Sequence, residues 1–131
     1  MGWSMKGFIE INGHIYPAPD RGLNFLVVTT VDAARNANNE FVGQKVGRDQ
    51  FKVENLTWFS LDAETWSQLL QEFESFVVTA TIPNMVTNQR MTLEMYPGNR
   101  TAEPRDIDPV TMMPTRYTNC KVNIIDCGEA L

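Results

Sequence analysis

Only one stretch of this chain spaces its apolar residues as an α-helix requires, and this restricts the possible folds more than any other feature. Between residues 62 and 74, large apolar side chains recur every three or four positions, which places on one side of a helix Trp66, Leu69, Leu70 and Phe73. Asp62 is a suitable N-cap, and Glu64 suits the positive end of the helix dipole. Burying such side chains stabilises by roughly 1.5–3 kcal/mol each. We therefore predict one helix that covers a sheet.

The other apolar residues form short runs that are typical of β-strands. Asn12-Gly13 between apolar residues predicts a tight type I′ hairpin over residues 8–16. A β-branched run predicts a strand over 23–31 that could be buried on both faces. Two runs within 40–58 face each other across residues 47–50, which predicts a long hairpin. Further strands are predicted over 76–82, 90–96 and 116–126.

The parity of apolar residues changes in the second run of the long hairpin. Phe51 and Val53 alternate with charged residues, whereas Leu56 and Trp58 continue in the opposite parity. Because side chains alternate with period two, one face cannot bury both pairs. We predict a β-bulge near Glu54 and Asn55, the alternative being that both faces are covered.

Three segments have no apolar periodicity. Residues 32–39 read as a loop or a splayed hairpin base, and residues 83–89 as an exposed hairpin tip. Residues 97–115 contain four prolines and are predicted to form an extended loop, because proline cannot donate to a strand ladder. The predicted fold class is mainly β: an antiparallel β-sandwich or barrel with one packed α-helix, in a single domain over residues 1–131 whose first six residues are flexible.

Composition restricts the function classes. Eleven Lys and Arg against 16 Asp and Glu give a net charge of -5, which disfavours sequence-independent binding to DNA. The single histidine, His14, lies in or beside a hairpin turn, where a solvated side chain is more typical than a catalytic one. Cys120 and Cys127 are expected to be reduced thiols. No nucleophile motif, phosphate loop or metal-ligand spacing occurs, so we expect no enzyme, no cofactor, no metal site and no membrane partner.

The long hairpin is the most interesting candidate for binding. It mixes basic and apolar side chains as proteins that bind single-stranded nucleic acid do, but Asp49 and Glu54 interrupt the basic patch. A hairpin with apolar residues on both sides presents two surfaces, one of which needs a neighbouring subunit. We therefore favour protein contact over nucleic-acid binding.

Several short motifs resemble a family of small tail-module proteins of tailed bacteriophages and prophages. The resemblance spans residues 8–126 and is carried by Ile11-Asn12-Gly13, Arg35-Asn36, Arg48-Asp49, Leu61-Asp62-Ala63-Glu64, Phe76-Val77-Val78-Thr79 and Tyr96-Pro97-Gly98-Asn99-Arg100-Thr101-Ala102. The order of elements is also similar to the tail-tube fold, a β-sandwich with one flanking helix and a long hairpin that reaches the next subunit. Residues 103–115 depart from the pattern as a longer insert.

The resemblance implies a structural role in the virion tail, with assembly in the bacterial host cytoplasm. It implies a ring of copies of this chain, a hexamer as in tail tubes, whose partners are other tail proteins and whose lumen passes DNA as cargo. We expect subunit contacts from the long hairpin and two loops, through Arg35, Phe41, Val42, Lys45, Val46, Arg48, Phe51 and Arg100. Two alternatives stay open: a head-to-tail connector or tail terminator, and a monomeric β-sandwich module that binds carbohydrate through an exposed aromatic platform.

Overall fold

The computed structural model describes residues 7–35, 37–39, 41–45 and 47–128, and within these ranges leaves out the side chains of residues 32–35, 41, 42 and 45. The predicted flexibility of residues 1–6 lies outside the described residues. Strands account for 54% of the chain and helical residues for 12%, and the sheets are antiparallel. The predicted fold class, mainly β with one packed helix, is confirmed.

Ten strands and one α-helix follow one another through the described residues. They are β1 (Glu10–Ile11), β2 (His14–Ile15), β3 (Asn24–Val28), β4 (Val31–Arg35), β5 (Phe41–Lys45), β6 (Gln50–Asp62), α1 (Ala63–Glu72) with a 3₁₀ turn (Phe73–Ser75), β7 (Val78–Asn84), β8 (Gln89–Pro97), β9 (Thr101–Ile107) and β10 (Pro114–Asp126).

Eight of the strands form the main sheet, in the order β2-β1-β7-β8-β10-β6-β3, with β9 also paired to β10. On the side of β10 away from β6, β8 pairs with the end of β10 and β9 with its earlier part. Strands β4 and β5 pair only with each other and form a separate two-stranded sheet, which we call the arm.

The helix and the first hairpin form for the reasons that their sequences indicate. The Asp62 carboxylate caps α1 by accepting from the Thr65 hydroxyl at 2.7 Å and from the Thr65 N–H at 3.4 Å. The hairpin β1–β2 turns through Asn12 and Gly13 at φ 52° and 82°, the positive angles that a type I′ turn requires. Both predictions are confirmed.

The predicted β-bulge is present in β6. Val122 pairs with Leu56 and Ile124 with Val53, so three steps along β6 face two along β10. Asn55 takes up the extra residue at φ 55°, and its N–H donates to the Asn123 side chain at 2.8 Å. The bulge reverses the parity and lets one face of β6 bury Val53, Leu56 and Trp58 together.

The prediction that residues 97–115 form a loop without a ladder is wrong. Seven of these residues form β9, which pairs with β10 and places Pro104 opposite Tyr117. Three register shifts interrupt this ladder. Because β9 has a neighbour on one side only, it is an edge strand, where proline is tolerated.

The prediction of a long hairpin across residues 47–50 is also wrong. Strand β5 pairs with β4, Arg35 lying opposite Phe41, while β6 pairs with β3 and β10. Of residues 32–39, expected as a loop or a splayed hairpin base, residues 32–35 thus belong to a strand, β4. Strand β3 alternates exposed and half-buried residues, so it is covered on one face rather than two.

The core lies between α1 and the covered face of the main sheet. Trp66, Leu69 and Phe73 of the helical segment are buried. Trp66 meets Trp58 edge-on with ring centroids 6.5 Å apart, and the Trp58 indole N–H donates to the Pro17 carbonyl at 2.9 Å. In β10, Cys120, Val122 and Ile124 are buried while Asn119 and Lys121 are exposed, as the alternation predicts. Cys120 is a free thiol, as expected.

Replacing Leu69 with alanine tests how strongly the helix depends on its buried side. Leu69 is 1% exposed, so Leu69→Ala should leave a cavity and lower the free energy of unfolding by about 2–5 kcal/mol. Gln71→Ala, on the exposed side of the same helix, should change it by no more than about 0.5 kcal/mol. Urea denaturation followed by tryptophan fluorescence measures both, and equal losses would contradict the assignment of the buried side.

Candidate assembly surface

Arg48, a predicted contact residue, is engaged within its own chain. Its guanidinium donates from two nitrogens to the Asp126 carboxylate, at 2.6 and 2.7 Å, and also donates to the Asp49 carbonyl at 2.8 Å. The Asp126 side chain is fully buried, whereas that of Arg48 is 23% exposed. This bidentate pair ties the segment before β6 to the end of β10.

Four hydrogen bonds stabilise the Asp126 carboxylate in its charged form. Arg48 donates two of them, and the backbone N–H groups of Phe51 and Gly128 donate the other two, at 3.0 and 2.8 Å. Burial by itself would raise the pKa of Asp126, but these hydrogen bonds outweigh burial and hold the pKa below its ordinary value. The hydrogen bonds that Arg48 donates to Asp126 raise the pKa of Arg48.

Phe51 is half-buried and packs against the core, so it too contributes to the fold of its own chain. Arg100 is exposed in the connection between β8 and β9, and its guanidinium donates to the Gly98 carbonyl at 3.0 Å. The structure brings Arg48 and Phe51 together at Asp126 and places Arg100 in a separate loop.

The other predicted contact residues belong to the arm or adjoin it. Arg35 pairs with Phe41, Ala34 with Val42, and Val31 with Lys45. Of these, Arg35, Phe41, Val42 and Lys45 are described by their backbone alone. Val46 lies outside the described residues.

In the described part of the chain, three strands of the main sheet have a neighbour on one side only, and these open edges differ in how well they resist pairing with another chain. Strand β2 is only two residues long. Strand β9 carries Pro104 and three charged residues, Glu103, Arg105 and Asp106. Both short length and such residues are devices that blunt an edge. Strand β3 has neither proline nor charge over its five residues, Asn24–Val28.

Strand β3 also presents apolar side chains away from the core. Leu26 is 39% exposed and Val28 is 44% exposed, and both lie on the face opposite Phe25. An uncharged apolar edge strand invites pairing with another chain. The sequence predicts a strand over 23–31 that could be buried on both faces, and nothing in its local pattern indicates this edge.

A polar cluster around Glu72 also escaped the sequence analysis. Its carboxylate lies 2.7 Å from His14 Nδ1 and accepts a hydrogen bond from the Tyr16 hydroxyl, which joins the first hairpin to α1. Burial, followed by the hydrogen bond to Glu72, raises the pKa of Tyr16. His14 and Glu72 are 58 positions apart, so no local pattern could reveal the pair.

Two further features of the surface are apolar and exposed. The turn between β9 and β10 exposes Val110, Met112 and Met113. Phe76, which links the 3₁₀ turn to β7, is 56% exposed and stacks on Tyr96 with ring centroids 5.2 Å apart. The sequence analysis treated the first as part of a proline-rich loop and the second as the start of a strand.

Within the described ranges, no group of three or more His, Cys, Asp or Glu residues is placed so as to hold a metal ion. None of the helices in the described part of the chain has the length and apolarity needed to cross a bilayer. Comparison with protein-family models, curated proteins and solved structures finds no match.

Replacing Asp126 with asparagine tests the buried ion pair. Asp126→Asn leaves the Arg48 guanidinium without its counterion and should lower the free energy of unfolding by about 3 kcal/mol at neutral pH. Because the folded pKa of Asp126 is depressed, its contribution is present above the ordinary aspartate pKa of about 3.9 and is lost as pH falls below it.

The difference between wild type and Asp126→Asn should therefore shrink on acidification. Urea denaturation of both proteins at neutral pH and at about pH 3, below the ordinary pKa, measures this change. A difference that stays constant across this range would show that the charge of Asp126 does not contribute to stability.

Proposed function

We propose that this chain is a structural subunit of a phage tail or a tail-like particle, a tube or tube-to-baseplate component that assembles as a ring of identical copies. The proposal rests mainly on how the arm pairs. Among the residues that the structure describes, strands β4 and β5 pair with each other and with no strand of the main sheet. A two-stranded hairpin alone is marginally stable in water, so this one needs a partner surface.

The edge of β3 offers that surface on a neighbouring copy. Within the described ranges its outer edge pairs with no strand. It has no proline and no charge, and it is five residues long, the same length as each strand of the arm. A strand of one arm can add to β3 of the next copy through main-chain hydrogen bonds. The contact is heterologous, because arm and edge are different surfaces, and heterologous contacts generate rings when the rotation closes.

Three further features support the same proposal. The motifs that resemble phage tail-module proteins span most of the chain, including the Leu61 to Glu64 segment that leads into the helix and the Tyr96 to Ala102 segment. The fold class agrees with the sandwich and flanking helix that this resemblance implies. A net charge of -5 suits a lumen through which DNA passes without adhering.

The oligomeric state tests this proposal. Purified protein should form rings or short tubes in negative-stain images and a correspondingly large species in light scattering. The double variant Leu26→Lys, Val28→Lys places charges on exposed positions of β3 and should remain monomeric with an unchanged far-UV circular dichroism spectrum.

The matched control changes another edge strand. Thr101→Lys with Ile107→Lys adds two charges at exposed positions of β9, which is already blunted, and should leave assembly intact. A wild-type protein that stays monomeric at its highest soluble concentration would overturn the ring proposal. Rings formed equally well by the β3 double variant would exclude β3 as the assembly edge.

A further inference from the structure

The strained backbone at Phe76 is the starting point of a second, independent inference. Phe76 has φ 69° and ψ -55°, close to a rare γ-turn geometry near about φ +75° and ψ -65°. Side chains with a Cβ seldom adopt this conformation, and strained residues of this kind concentrate at functional sites. The ring is 56% exposed, so burial does not compensate for the strain.

The Phe76 ring is nevertheless held in place. It stacks on Tyr96 with an angle of 29° between the ring planes, and the Phe76 N–H donates to the Phe73 carbonyl at 2.9 Å. One face of the ring rests on Tyr96, so its exposure comes from the opposite face and the edge. The result is a flat, immobilised aromatic surface open to solvent.

The surface beside this aromatic pair is polar. Tyr96, Glu94 and Thr92 lie on the outer face of β8, because Leu93 and Met95 between them are buried. Glu94 accepts from the Thr79 hydroxyl at 3.0 Å, and Thr92 lies 3.0 Å from the Thr81 hydroxyl. The Thr79–Glu94 pair and the Thr81–Thr92 pair thus form two polar rows across β7 and β8. They follow Tyr96 at intervals of about 7 Å along β8.

This combination fits a sugar better than a protein. Hot spots of protein interfaces are surrounded by contacts that exclude water, whereas hydroxyl groups and a carboxylate adjoin this aromatic pair on β7 and β8. A sugar ring has an apolar C–H face, which packs on an aromatic ring by dispersion, and a rim of hydroxyls that donate to carboxylates and pair with threonine hydroxyls. Glu94 disfavours anionic ligands.

We propose that Phe76 and Tyr96, with the Thr79–Glu94 and Thr81–Thr92 rows, form a binding surface for neutral oligosaccharides on the outer face of the main sheet. The surface does not depend on the ring proposal. An open sheet face without a closed pocket favours an extended chain of sugars over a single residue, with one sugar on the aromatic pair and the next over the threonine rows.

Nuclear magnetic resonance titration of the full chain tests the proposal, with chitotetraose, cellotetraose and maltotetraose as probes. At least one should shift the amide resonances of Phe76, Tyr96 and Thr79. Phe76→Ala should weaken that affinity at least tenfold, and Phe76→Trp, which keeps a larger aromatic face, should retain it. Phe59→Ala removes another exposed phenylalanine, 57% exposed on β6, and should leave binding unchanged.

Three results would overturn the assignment. The first is that none of the three sugars shifts these resonances at millimolar concentration. The second is that binding survives Phe76→Ala, and the third is that the shifts map to another face. If instead Phe76→Ala abolishes ring formation and no sugar binds, the aromatic pair is a contact between subunits. Because oligomeric state and sugar titration are separate measurements, failure of one proposal is distinguishable from failure of the other.

Discussion

Strand β10 is the element on which the rest of the structure depends. It pairs with β6 along most of its length on one side and with β8 and β9 in succession on the other. Its inward side chains, Cys120, Val122 and Ile124, are buried beneath the helix and its neighbouring strands. Desolvation raises the pKa of the Cys120 thiol to about 11, so this cysteine acts as a small apolar side chain at neutral pH.

The end of β10 determines what the charged residues nearby can do. Asp126 is buried there and requires a counterion, and Arg48 supplies it with two hydrogen bonds. An arginine that appears from its sequence position to be a surface contact is therefore part of the internal support of the fold. The pairing also anchors the chain at the point where it leaves the arm and enters β6.

The same topology explains why the arm and β3 stand out as surfaces. Strand β6 uses both of its edges, pairing with β10 and β3, so it has no edge left for β5. Strands β4 and β5 consequently form their backbone hydrogen bonds with each other, and β3 becomes the end of the main sheet. The edges at β2 and β9 are short or carry proline and charges, which leaves β3 as the end most open to another chain.

Local signals in the sequence determined the helix, the first hairpin, the bulge at Asn55 and the alternation of β10, because each depends on neighbouring residues or on a period of two or 3.6. Sequence position alone could not separate Arg48 and Phe51, which donate to Asp126 of the same chain, from the arm residues that were grouped with them. Tertiary structure decided which strands pair, and hence which edges stay open. It also decided that Pro104 lies in a strand, that His14 meets Glu72 and that Phe76 stacks on Tyr96. These pairings join residues far apart in the chain, and the hydrogen bonds and burial that select them exist only once the whole sheet has formed.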